Sequence, residues 1–313
     1  MLLTDYFRGE RDITWDFAKQ CGVENGVIRL PEISDFDVTN HSHWQKVYDN
    51  FTNFGIKPVV IEPMPNYLHD HIKTGDDKRD WAIEQVIKML PIMDSFDVRI
   101  ICFNWMAHIG WLRTSNAIKE RGGALVTGFD LNDFDGIDKS ITADMLWHNY
   151  EYFIKAILPY AEKYNIKLAL HPDDPPIEKL GGVERIMINY KNINRAISIV
   201  KSDNLGVTMC QASYHIMGED LYSVIPKLKE KIFFVHFRNA IGEKNCFRET
   251  FHDNGDIKMG DTLKLYKDCG INVPIRVDHV PLMAGEGDMN TGYTSLGRLY
   301  ALGYLKGLLE AIE

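Results

Sequence analysis

Short apolar runs bounded by turn-forming residues recur along this chain, and each is followed by a longer stretch whose apolar positions fall three and four residues apart. Short unbroken runs suit buried strands and the 3.6-residue period suits the helices that cover them, so the repeat predicts successive βα units. Eight strands are predicted: Leu2–Leu3, Val27–Leu30, Pro58–Ile61, Val98–Phe103, Lys167–His171, Leu205–Met209, Ile232–His236 and Pro274–Asp278. Strands and helices alternating in this number predict an α/β fold, a (β/α)8 TIM barrel forming a single domain over residues 1–313.

Between the strands, Met145, Leu146, Phe153, Ile154, Ile157, Leu158 and Ala161 make the stripe of a helix that covers the barrel. Pro159 removes one backbone donor inside it and predicts a kink, since the apolar period continues beyond. A last helix over Ser295–Ile312, with Leu296, Leu299, Leu302, Leu305 and Leu309 on one face, closes the wall. Two segments, about 105–139 and 239–257, are too long and irregular for minimal connections. Both follow carboxyl ends of strands, where this architecture builds its active site, so they are expected to form lids or pocket walls.

Composition narrows the function. A net charge of −9 with no Lys/Arg-rich run argues against nucleic acid as a partner. No apolar stretch is long enough to span a membrane, and the first residues, MLLTDYFRGERD, lack the apolar core of a secretory signal, which predicts a cytoplasmic protein. The five cysteines are scattered and show neither a disulfide framework nor paired metal spacing, so any role for one of them is individual.

Four consecutive predicted strands end on residues able to bind a metal: His171 in LALHPDDPP, Cys210 in GVTMCQAS, His236 in FFVHFRN and Asp278 in IRVDHVP. A lone buried cysteine is more often a small hydrophobe, and a lone strand histidine a hydrogen-bonded core residue. Recurrence at four strand ends changes that balance, because those ends converge on one barrel mouth. Imidazole, carboxylate and one thiolate suit manganese, iron, cobalt or zinc with little discrimination. His279 and Tyr293 are candidate proton carriers, against the plain alternatives of an exposed loop histidine and a wall tyrosine. Arg238, His252 and Asn104 are candidates for a substrate's carboxylate or hydroxyls. Asp173 and Asp174 are candidates for orienting the ligands, although Asp-Pro runs are also ordinary turn chemistry.

The segments HPDDPP (171–176), GVTMCQAS (206–213), VHFRN (235–239), FRETFHDNGDIKM (247–259) and RVDH (276–279), in that order, resemble the mannonate dehydratase family, as do IKTGDDKRDW, IICFNWM, WLRT and the tail TGYTSLGRLYALGYLKGLLEA. The resemblance implies that a sugar acid, D-mannonate, is dehydrated to 2-keto-3-deoxy-D-gluconate. It implies a divalent metal, manganese with Fe2+, Co2+ and Zn2+ as alternatives, on His171, Cys210, His236 and Asp278, with His279 and Tyr293 as the acid/base pair. A homo-oligomer is the family default. The chain departs from the family in being shorter before His171, in the residues after His279, and in Asn254 where an aspartate is usual. Two other readings stand beside this one: a metal-dependent sugar isomerase on the same barrel, whose centre would be richer in carboxylates, and a sugar-acid binder without turnover.

Overall fold

All eight apolar runs form strands, and the strands close on one another. In the computed structural model, which describes residues 1–287 and 290–312, they are β1 (Leu2–Phe7), β2 (Asn25–Ile28), β3 (Lys57–Ile61), β4 (Ile100–Phe103), β5 (Lys167–Leu170), β6 (Leu205–Cys210), β7 (Ile232–Phe237) and β8 (Pro274–Val277). Each pairs in parallel with its sequence neighbours, and β1 pairs with β8, which completes a (β/α)8 barrel. The strands are near-continuous apolar runs because both faces are covered, by helices outside and by packed side chains within.

The first strand is longer than predicted, since Thr4 and Asp5 break its apolar run yet both are buried. The Thr4 hydroxyl donates to the Ile275 carbonyl at 2.9 Å inside the barrel, and Asp5 faces Arg298 of the last helix, 3.8 Å from its Nε. The helix Ala143–Lys163 starts on Thr142, whose hydroxyl accepts from Met145 N at 3.2 Å, and runs through Pro159. Met145 and Leu296, counted in the apolar stripes, are exposed; the stripes are carried by residues such as Leu146, Phe153 and Ile157 in one helix and Ala301, Leu302 and Leu305 in the other.

The two long segments are more regular than their sequences suggest. Residues Ser115–Lys119 and Leu125–Asp130 of the first join Ala240–Glu243 and Cys246–Glu249 of the second in one antiparallel sheet of four strands. Each hairpin alone shows no long alternation, and pairing of Phe247 with Phe129 across the two segments supplies the contact that sequence order hides. Among the described residues no helix is long and apolar enough to cross a membrane.

Candidate active site

A cavity of about 1010 Å³ opens at the carboxyl ends of the strands. Parallel register sets Cys210 opposite His236, and His236 opposite Arg276, so side chains distant in sequence converge. His171 Nε2 lies 3.1 Å from His236 Nδ1, and one donor atom from each of His171, Cys210 and His236 lies within 4.8 Å of the others. Asp278 stands against this trio, with Oδ2 3.4 Å from His236 Nδ1 and Oδ1 accepting from Arg276 Nη1 at 2.8 Å.

The donor set fits a divalent cation. Burial pushes the Cys210 thiol up, but the Arg238 guanidinium, with Nη1 3.5 Å from Sγ, together with His171 and His236 outweighs it and holds the group well below the usual thiol range. Burial likewise raises Asp278, and Arg276 together with His279 and His236 brings it well below the usual carboxylate range. The His171 Nδ1 can only donate to the Pro172 carbonyl, 2.6 Å away, which leaves Nε2 free to ligate. Burial and Arg276 press the His236 imidazolium down, yet Glu62 and Asp278 carry it well above the ordinary value, so the pocket favours positive charge there. Glu62 Oε1 is 3.0 Å from His236 Nε2 but off the hydrogen-bond direction, which leaves that buried nitrogen without a hydrogen-bond partner.

His279 and Tyr293 meet at the edge of this cluster, with His279 Nε2 3.1 Å from the Tyr293 hydroxyl. Two backbone features bring them together. His279 adopts a left-handed conformation (φ 42°), a strain on the order of 1–3 kcal/mol for a residue with a Cβ, and Val280 and Gly292 exchange hydrogen bonds at 3.0 and 3.1 Å that fold the next loop back. Burial pushes the Tyr293 hydroxyl above its ordinary value. Trp111, from the first long segment, covers both rings at centroid distances of 4.9 and 6.0 Å.

Asn104 lines the cavity, its Oδ1 accepting from Met106 N at 3.1 Å. Arg238 and His252 do not line it, which corrects their expected contact with a substrate. Arg238 is fully buried, and its guanidinium is engaged by Glu249 (2.9 and 2.6 Å) and Asp174 (2.7 Å). His252 is stacked on Phe237 and donates through Nε2 to the Phe237 carbonyl at 2.8 Å. Asp174 reaches Cys210 through Arg238, whereas Asp173 accepts from the backbone of Ile186 and Met187 and pins a loop.

The family model described as D-mannonate dehydratase (UxuA) matches residues 2–142 and 134–313. The chain belongs to the mannonate dehydratase family. Among family members, mannonate dehydratase of Brachyspira hyodysenteriae is 31% identical, with 93% of this chain and 92% of that protein covered, and that of Streptococcus uberis is 30% identical, with 97% and 96% covered. The crystal structure of mannonate dehydratase from Streptococcus suis serotype 2 superposes with a TM-score of 0.90 at 28% identity over 100% of this chain and 93% of that one. A D-tagatose 3-epimerase-like protein shares the barrel at 13% identity and a TM-score of 0.65, a likeness of fold alone.

Four further charged residues of this site carry no clear mark in the sequence. Glu62 follows β3 directly and binds Arg276 through both oxygens, at 2.8 and 2.9 Å. Arg276 lies two residues before Asp278, and the period of two that puts them on one strand face was the available signal. Arg113 and Glu249 come from the two long segments and meet only because the accessory sheet forms. Asn254, the departure from the family's aspartate, bonds Glu120 at 2.6 Å on the outer surface and is not a cavity residue.

Proposed function

We propose that this chain removes water from an aldonic acid, D-mannonate foremost, to give 2-keto-3-deoxy-D-gluconate, using a divalent cation, manganese before iron, cobalt or zinc, on His171, Cys210, His236 and Asp278. The observation that carries this reading is the His279–Tyr293 pair, 3.1 Å apart, at the edge of the donor cluster within one cavity. The reaction breaks the C2–H bond and the C3–O bond, and the resulting enol becomes the 2-keto product. One of His279 and Tyr293 takes the C2 proton and the other protonates the departing C3 hydroxyl.

A bound divalent cation would draw charge from the substrate carboxylate and a neighbouring hydroxyl and so ease loss of the C2 proton. Proton transfer by a positioned side chain gives about 10² to 10⁴ in rate, short of what such a reaction needs, which is why cation and acid/base pair must share one cavity. Trp111 packs against both rings and forms the wall of the cavity beside the proton path.

The test supplies Mn2+ to metal-stripped protein and measures 2-keto-3-deoxy product from D-mannonate and related hexonates. Metal-dependent product from D-mannonate is expected. Tyr293→Phe should bind the metal fully yet turn over at least about a hundredfold more slowly. No product from any hexonate at full metal loading would overturn the reading.

A further inference from the structure

Glu249 ends the strand Cys246–Glu249 of the accessory sheet and is buried beneath the acid/base pair. Its Oε1 lies 2.9 Å from His279 Nδ1 and also receives Arg238 Nη2 at 2.6 Å and Arg113 Nε at 3.2 Å, while Oε2 receives Arg238 Nε at 2.9 Å. A carboxylate bound by two guanidinium groups has only acceptors to offer, so the hydrogen between it and His279 sits on Nδ1. The other ring nitrogen, Nε2, then faces the Tyr293 hydroxyl at 3.1 Å and Asp278 Oδ1 at 3.7 Å.

We propose that Glu249 is the positioning residue of the acid/base pair: it holds the His279 proton on Nδ1 and so keeps Nε2 turned toward Tyr293 and the reacting carbon. This rests on the dehydratase reading above and adds to it the function of the accessory sheet. That sheet delivers Glu249 below the His279 ring, and the segment leading into it delivers Trp111 against the ring and Arg113 onto Glu249. Arg113 also makes a two-pronged contact with Asp174 at 2.7 and 3.0 Å, and Arg238 bridges Asp174 to Glu249, so the carboxylate cannot swing away from the imidazole without breaking several charged contacts. The direction of support runs from loop sheet to arginines, from arginines to Glu249, and from Glu249 to His279.

Glu249→Gln has nearly the same shape but can offer its amide hydrogens to Nδ1, which moves the ring proton to Nε2. Where a carboxylate orients a catalytic histidine, replacing it by an amide costs about 10⁴ in kcat through the wrong tautomer. For Glu249→Gln the expected result is a kcat loss of about 10² to 10⁴ with KM and bound Mn2+ within about threefold of the unchanged chain. The isotope effect on kcat, from D-mannonate deuterated at C2 or from D2O, should grow as proton transfer becomes limiting. A folded, fully loaded variant with kcat within about threefold overturns the proposal, as does a kcat loss with both isotope effects unchanged, which marks a smaller active fraction only. If Glu249→Gln does not fold, Glu249→Asp decides: it keeps the charge but withdraws the carboxylate, and it should lose at least about tenfold in kcat with metal content intact. Unchanged kcat in Glu249→Asp overturns the proposal. The unchanged chain is assayed first, so absence of product from it strikes the dehydratase reading, whereas normal turnover beside an unaffected variant strikes Glu249 alone.

Discussion

Cys210, at the end of β6, and Cys102, within β4, belong to the same barrel, both are buried, and each lies in a cluster with His236, yet their chemistry is opposite. Cys210 has Arg238 as neighbour and is held well below the usual thiol range against the upward push of burial. Cys102 has Glu62, with Oε1 3.7 Å from Sγ, and burial together with that carboxylate pushes it up to about 11. Burial is common to both, so the balance of the surrounding charges and hydrogen bonds decides which cysteine is a thiolate donor and which stays a thiol, bonded by the Thr208 hydroxyl at 3.2 Å. His236 stands between them, turning Nδ1 toward the Cys210 side and Nε2 toward Glu62.

The widest separation comes from exchanging sulfur for oxygen at each position. Cys210→Ser should lose most of its bound metal and drop turnover by on the order of a hundredfold or more, because a hydroxyl does not ionise to replace the thiolate. Cys102→Ser should keep its metal and stay within about threefold in turnover, since its thiol acts only as a buried polar group. Metal analysis and product formation on the same preparations check this. Equal losses in the two variants would break the comparison.

How much of this could be read from the chain follows from the range of each signal. The eight strands are local patterns and were legible before any coordinates, and the places of His171, Cys210, His236 and Asp278 at strand ends mark them as candidates that the fold brings near one another. Glu62 and Arg276 carry the same kind of mark, but a charged residue in a buried strand reads as an anomaly until its partner is known. Arg238 shows the reverse error. Its nearness to a strand end suggested a substrate contact, and only the arrival of Glu249 and Asp174 from other segments reveals that its donors are spent internally. The accessory sheet was hidden because its pairing joins residues more than a hundred positions apart, which no local period reports.

Glu62 offers a subtler way to sharpen the contrast, because it touches both sides. Its carboxylate is held well below the usual range, burial working against Arg276 and His236, and its bond to Arg276 limits how far that guanidinium draws on Asp278. Glu62→Gln should free Arg276 to bind Asp278 more completely and leave His236 Nε2 without its carboxylate. Loss of a residue that orients ligands in this way costs about 10- to 100-fold in metal affinity. Competition against a chelator measures it, and unchanged affinity would mean that Arg276 does not compete with the metal for Asp278.

At His252 burial prevails over neighbouring charge, and it carries the smallest expected effect. Its Nδ1 lacks a hydrogen bond, and burial lowers it to about 4 from an ordinary 6.5 against the upward pull of the Phe237 carbonyl and of Asp278, Glu249 and Asp253. A histidine depressed in the folded state contributes its full stability above the unfolded value and loses it as pH falls from about 6.5 toward 4, because the unfolded chain takes up the proton first. At pH 5.5, one unit below the unfolded value, the loss should be about 1.4 kcal/mol. His252→Gln removes the titration, so between pH 7.5 and 5.5 its urea-unfolding free energy should fall by about that much less than that of the unchanged chain. Parallel curves for the two proteins would show that the ring is already protonated inside the fold, and that even here some charge outweighs burial.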